Sequence, residues 1–173
     1  MGKIEVEGSF LAYDLRGMQD RPTASFGSGW VFLSLALAAH VTDEALTGFL
    51  DVYNPTVLAM RARYSWFPMP VFGFREWLIG LICGVIILVL LTPFAMRGSR
   101  WMRPLAYFLS IMMILNGLGH TLGTAFGRTV STIHFARPMP GFWSSPLLLG
   151  ASGYLLYQLR RRKVGVAKGA AAI

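Results

Sequence analysis

The sequence is poor in charged residues and in cysteine. Asp, Glu, Lys and Arg make up 14% of the 173 residues, only 8 residues are acidic, and Cys83 is the one cysteine. A single cysteine excludes an intrachain disulfide framework and any cysteine-based zinc motif. The sequence also has no Gly-x-Ser-x-Gly motif and no glycine-rich phosphate loop, which argues against a serine hydrolase and a phosphate-binding loop protein.

Apolar residues are abundant and lie in long runs without charge. They make up 54% of the chain, and the mean hydropathy is +0.52, which is too apolar for an ordinary soluble domain. After a first run that begins at Phe26, three others reach the roughly 20 residues that a helix needs to cross a bilayer. These three runs are Trp77 to Met96, Pro104 to Phe126 and Pro138 to Leu159. The sequence therefore predicts an all-α integral membrane protein, a four-helix bundle.

Two helix boundaries are less regular. The connection from Asp51 to Phe74 is rich in aromatic residues; Asn54-Pro55 predicts the start of a short helix ending near Tyr64, whereas residues 67–70 cannot be helical. The last helix is predicted to begin at Ser144-Ser145-Pro146, because serine is a good N-cap and proline suits the first turn. It would then be short for a full crossing if it ends near Leu159.

The basic residues give the predicted bundle an orientation. The net charge is +8, and one side of a four-span arrangement holds most of the cations, namely Lys3, Arg16, Arg21, Arg97, Arg100, Arg103, Arg160, Arg161, Arg162, Lys163 and Lys168. By the positive-inside rule both termini are cytoplasmic in a multi-pass protein of the inner (plasma) membrane. The predicted parts are a cytoplasmic tail (1–24), a transmembrane domain (25–160) and a basic cytoplasmic tail (161–173). A basic run beside a last span favours anionic lipid over nucleic acid as its partner.

Ionisable residues occur inside two of the predicted spans, where they are costly and usually have a function. His40, Asp43 and Glu44 follow the first apolar run, and the third span carries Asn116 and His120. At about 1.5 Å per residue, His40 lies about 21 Å from Phe26 and His120 about 24 Å from Pro104. Because the two spans run in the same direction, the two imidazoles are expected at nearly the same depth in the outer half of the membrane.

This pattern resembles the HXXEE domain family of small membrane proteins. The motif stands here as His40-Val41-Thr42-Asp43-Glu44, with Asp43 where the family has glutamate. The second histidine corresponds to His120, and Pro140-Gly141 corresponds to the family's Tyr-x-Pro-Gly, although Pro138 takes the tyrosine position. The resemblance covers residues 28–159. The family has no established activity, so the resemblance implies only that the two histidines and the acids form one set.

Four interpretations of this set remain open in the sequence. A metal site would use His40, Glu44 and His120 as ligands, a donor set that suits zinc or non-haem iron, although no His-Glu-x-x-His motif supports it. Metal-free acid–base catalysis would use Glu44, Asp43 and Asn116 as catalytic groups, with His120 polarising the substrate. In a third interpretation the polar residues bind a lipid head group or a partner, or carry protons, without catalysis. In the fourth they only join the helices by hydrogen bonds.

The expected function is that of a small membrane enzyme, metal-dependent or acid–base, acting on a lipid-like substrate that enters from the bilayer. The alternative is a lipid- or partner-binding membrane subunit without catalysis. Its expected partners are the lipid bilayer and a lipid-like small molecule, and the sequence leaves open a homo-oligomer or a larger membrane complex.

Overall fold

The described part of the chain is helical. The structure, a computed structural model, describes residues 21–170, with side chains for residues 26–161. The helices in chain order are α1 (Arg21–Thr47), α2 (Phe49–Arg63), α3 (Phe74–Leu90), α4 (Thr92–Met96), α5 (Met102–Phe126) and α6 (Ser145–Ala170). Besides helices, this region contains turns and an isolated β-bridge between Arg128 and His134. The predicted all-α class is therefore confirmed for these residues, and the outer parts of both predicted tails (1–20 and 171–173) lie outside them.

The centre of the bundle is formed by α1, α5 and α6. Helix α6 packs against both α1 and α5, and α1 also packs against α3 and α4. The shared core is apolar, with small residues at the helix contacts and larger ones filling the space between them; it contains Phe26, Trp30, Leu33, Ala36, Leu88, Ala95, Met102, Ala106, Leu148, Ala151, Leu155 and Leu159. Close van der Waals packing of these side chains holds the helices together.

Helix α1 is fixed against α3 and α4 by two close contacts. The indole nitrogen of Trp30 donates a hydrogen bond to the carbonyl oxygen of Leu88 at 2.9 Å. Lower on the same helix, a Cβ atom at Gly27 would lie only 2.9 Å from the Cα atom of Met96. The glycine therefore allows the two backbones to approach at a distance that any other residue would prevent.

Helix α2 follows α1 after a sharp turn at Gly48, whose φ of 77° is favourable only for glycine. It begins at Phe49, earlier than the predicted start at Asn54-Pro55, and it ends at Arg63 as expected. Residues 67–70 are not helical, as predicted. This extended segment is held on α2 because Tyr53 donates to the carbonyl oxygen of Pro70 at 2.9 Å and the Asn54 amide forms two hydrogen bonds with the backbone of Phe72.

Two helical segments, Phe74–Met96 and Met102–Phe126, are long and apolar enough to cross a membrane. Both are poorly covered by the rest of the chain, with only 11% and 22% of their most apolar windows buried. The last helix continues to Ala170, so it is longer than the predicted end at Leu159 allowed. Length and apolarity thus qualify two of the four predicted spans as membrane-crossing helices.

Candidate metal centre

Two histidines and one glutamate meet in the interior of the bundle. The Nε2 atoms of His40 and His120 lie 3.4 Å and 3.0 Å from the same oxygen, Oε1 of Glu44. The two imidazole rings are 4.8 Å apart between centroids and nearly perpendicular, at 78°. All three side chains are buried, with at most 6% of any of them exposed.

Helical periodicity explains how the three residues come together. His40 and Glu44 are four residues apart on α1 and therefore share one face. Asn116 and His120 have the same spacing on α5, and both point toward that face. The rise per residue predicts nearly the same depth for the two imidazoles along their helices, and the structure brings the two rings into contact.

Two of the three spacings between the donor atoms are close to those of a site for a single ion. Two ligands of a tetrahedral zinc site, each about 2.0–2.1 Å from the metal, lie about 3.3 Å from each other. The Nε2-to-Oε1 distances of 3.0 and 3.4 Å bracket that value. All three donor atoms lie within 4.8 Å of one another, and no other such set of three occurs among the described residues. His40, Glu44 and His120 could therefore hold a metal ion.

Ser144 and Asp43 orient His40 from behind. Nδ1 of His40 lies 2.7 Å from the Ser144 hydroxyl, which donates to Oδ2 of Asp43 at 2.8 Å. The backbone N–H of Ser144 donates to the same Asp43 oxygen at 2.8 Å. Because a carboxylate only accepts and the hydroxyl has a single proton, His40 is the donor to Ser144. A neutral His40 then presents an unprotonated Nε2 to the centre, which is the form that binds a metal.

The amide of Asn116 supports the same assignment. Its Nδ2 atom donates to Nε2 of His40 at 3.3 Å, so this nitrogen acts as an acceptor. Two acceptor atoms, Nε2 of His40 and Oε1 of Glu44, therefore lie 3.4 Å apart. An unprotonated Nε2 has a single lone pair, so a metal ion bound there would displace the Asn116 amide from it.

A glycine closes the centre on the side of the loop before α6. Gly141 has a φ of 82°, and a Cβ atom there would lie 2.7 Å from Cε1 of His120, 2.9 Å from its Nδ1 and 3.0 Å from Cγ of Glu44. Both the backbone conformation and the space require glycine. Gly141, one of the two residues of the Pro140-Gly141 pair in the family resemblance, thus lies against two of the three donor residues.

A cavity of about 410 Å³ opens beside His120 and Asn116. It lies between α2, α5 and the loop that follows α5, and its wall is mainly apolar: Phe49, Tyr53, Thr56, Leu115, Gly119, Leu122, Gly123, Phe126, Arg128, Thr129 and Met139. The Phe49 ring packs on the His120 ring, 5.6 Å between centroids. Burial raises the pKa of Tyr53, despite the opposing charge of Arg61, so the phenol remains a hydrogen-bond donor at neutral pH.

Most of the candidate residues lie at or beside the centre. His40, Glu44, Asn116 and His120 surround it, whereas the Asp43 carboxylate is turned away toward Ser144, whose hydroxyl connects it to His40. Other titratable groups at this end remain apart: His134 contacts the carbonyl oxygen of Ser131 in an exposed loop, and Glu76 is exposed at the start of α3. The contact of Ser144 with His40 was not predicted from the sequence. A serine at a predicted helix start is already accounted for as an N-cap, so nothing in the pattern indicated a second role.

Comparisons of the chain with protein-family models, with curated proteins and with solved structures find no match in any of the three.

Proposed function

We propose that the chain is an integral protein of the inner (plasma) membrane. In this proposal α1, α3, α5 and α6 cross the bilayer, and both termini are cytoplasmic. The exposed apolar side chains of α3 and α5 support this, since they would be unfavourable in water. Exposed tryptophans lie at both ends of the bundle. Trp66 and Trp143 are at the end that contains His40, Glu44 and His120, and Trp101 is at the opposite end. Tryptophan favours the two membrane interfaces in this way.

The cluster of His40, Glu44 and His120 is proposed to be the metal centre of a small membrane enzyme that acts on a lipid-like substrate. The observation that carries this proposal is the convergence of two imidazole nitrogens on one carboxylate oxygen at 3.4 and 3.0 Å. Two histidines and a carboxylate are a donor set for Zn²⁺ or non-haem Fe²⁺. The resemblance to the HXXEE family is consistent with a shared site and is part of the same proposal.

The chemistry would take place where the centre meets the cavity. A bound ion would supply Lewis acidity and lower the pKa of a bound water. The protein's own groups hold and orient this site: Asp43 and Ser144 fix the ring of His40, and the Asn116 amide lies beside it where the cavity begins. The apolar walls exclude bulk water, which strengthens electrostatic interactions at the centre.

Metal-free acid–base catalysis is the second candidate. It is favoured by the 3.0 Å contact between Glu44 and His120, a pair that could exchange a proton with a substrate in the cavity. A subunit that binds a lipid or a partner without catalysis would use the same cavity but would need no metal.

Metal analysis of the protein purified in detergent tests the proposal. We expect about one equivalent of zinc or iron per chain, both in the wild type and in His134→Ala, a control that removes a histidine remote from the cluster. Chelator treatment should lower the melting temperature, and re-addition of metal at about 100 times its Kd should restore about 2.7 kcal/mol of stability. A wild-type protein that is folded, binds no metal and gains no stability from added Zn²⁺ or Fe²⁺ would contradict the metal proposal.

The orienting hydrogen bonds give a further prediction. Ser144→Ala removes the acceptor of the His40 Nδ1 proton, and loss of such an outer partner typically weakens metal binding about 10–100-fold. The control is Ser152→Ala, because Ser152 lies buried on α6 and bonds only to Leu148 of its own helix. Competition with a metal indicator measures both affinities, and equal affinities in the two variants would contradict the assigned role of Ser144.

A further inference from the structure

The cavity beside the metal centre has one charged side chain in its wall. Arg128 lines it together with hydroxyl, amide and imidazole groups and a larger number of apolar residues. Arg128 is exposed, and no acidic residue lines the cavity within the described part of the chain. An unpaired guanidinium at the edge of an apolar cavity is complementary to an amphiphile with an anionic end.

The backbone of Arg128 lies beyond the end of α5, away from the metal centre along that helix. Arg128 follows Gly127, the C-cap of α5, whereas His120 lies inside that helix, about 9 Å of helical rise before its last residue. The hydroxyls of Thr129 and Thr56 are 2.5 Å apart and join the loop of Arg128 to α2. The backbone position of Arg128 relative to the centre is therefore set by a helix end and by a hydrogen bond.

The size of the cavity indicates how much apolar material it accepts. A methylene group takes roughly the 30 Å³ of a water molecule in the liquid, so that 410 Å³ holds about 14 such groups. This is sufficient for most of one long alkyl chain and less than the two chains of a phospholipid would fill. The exposed side chains of Leu115, Leu122 and Phe126 border the cavity on the outer face of α5, where a chain could enter from the bilayer.

We propose that this cavity binds a single-chain amphiphile with a terminal carboxylate, a long-chain fatty acid or a close derivative, with the carboxylate on Arg128. A carboxylate fits better than a phosphate monoester because one guanidinium matches one negative charge and can bind both of its oxygens. The ligand bound in this way presents methylene groups of its chain, and not its head group, to His120. The inference rests on the proposed function for the reaction itself, but binding of the ligand does not require the metal.

Photolabelling in nanodiscs of phosphatidylcholine tests the proposal. The probe is a diazirine analogue of palmitate, and the competitors are palmitate, cetyl alcohol and phosphatidic acid. We expect palmitate to compete about tenfold better than cetyl alcohol, because a hydrogen bond to a charged group contributes about that factor or more. Labelling should map to α5 between Leu115 and Phe126.

Variants separate the contribution of Arg128 from that of general surface charge. Arg128→Gln should remove the preference for palmitate over cetyl alcohol, whereas Arg137→Gln, which alters a neighbouring exposed arginine outside the cavity wall, should retain it. The inference would be overturned by equal competition from the alcohol, by stronger competition from phosphatidic acid, or by an unchanged preference in Arg128→Gln. Chelator-treated wild type should still be labelled, so that failure of the metal proposal and failure of this one give different results.

Discussion

Glu44→Gln is expected to reduce the affinity for metal by more than about 100-fold, beyond the range typical of an outer-shell change. Glutamine has nearly the same shape as glutamate, so the packing of the helices should survive. It lacks the negative charge, and Glu44 is the one anionic member of the cluster. The two imidazoles alone would leave the charge of a divalent ion uncompensated in a buried site. The measurement is metal content after purification, followed by the Kd for Zn²⁺ from competition with an indicator.

The control for this variant is Glu76→Gln, which makes the same change at an exposed glutamate at the start of α3. It should bind metal as the wild type does. Retention of metal by Glu44→Gln with wild-type affinity would exclude this carboxylate as a ligand. Circular dichroism would show whether the Glu44→Gln protein folds. If it does not, Glu44→Asp would replace it in the affinity measurement, because aspartate retains the charge but places it farther from the histidines.

Gly141→Ala is expected to lower the free energy of unfolding by about 1–3 kcal/mol and also to disturb the metal centre. The positive φ of 82° is unfavourable for alanine, and the new Cβ would lie 2.7 Å from Cε1 of His120 and 3.0 Å from Cγ of Glu44. These side chains have little room to withdraw, because both are buried and contact each other. We therefore expect a lower melting temperature together with at least about tenfold weaker metal binding, comparable to loss of an outer-shell partner.

Gly48→Ala separates backbone strain from pressure on the centre. Gly48 has a similar φ of 77°, but a Cβ there would contact only the Asp51 carboxylate, at 2.9 Å. This variant should lose stability and retain metal affinity. If both variants lost the same stability and neither lost metal affinity, Gly141 would be a turn residue with no influence on the cluster.

The sequence predicted the parts of the site that depend on helical spacing and depth. His40 with Glu44, and Asn116 with His120, are pairs four residues apart in apolar helices, and their distances from the starts of the predicted spans follow from the rise per residue. These quantities are local, so they survive folding unchanged. The structure accordingly brings the two histidines and Glu44 together, whereas their role as ligands and the catalytic role of Asp43, Asn116 and Glu44 remain predictions.

The sequence did not predict the contributions of the loops. Ser144 and Gly141 approach the cluster only because the segment before α6 folds back over the ends of α1 and α5, and no periodic pattern encodes that path. Asp43 was expected beside Glu44, but the backbone N–H and hydroxyl of Ser144 compete for its carboxylate and turn it away. The predicted start of α2 at Asn54-Pro55 was also wrong. The helix begins at Phe49, directly after the turn at Gly48, and Pro55 lies inside it.

The most direct test of the account is X-ray absorption spectroscopy at the zinc or iron edge of the metal-loaded protein. We expect two imidazole ligands together with oxygen ligands, all at about 2.0–2.2 Å, and one imidazole fewer in His120→Ala. A shell of oxygen ligands without imidazole, or an unchanged imidazole count in His120→Ala, would contradict the claim that His40, Glu44 and His120 bind one ion.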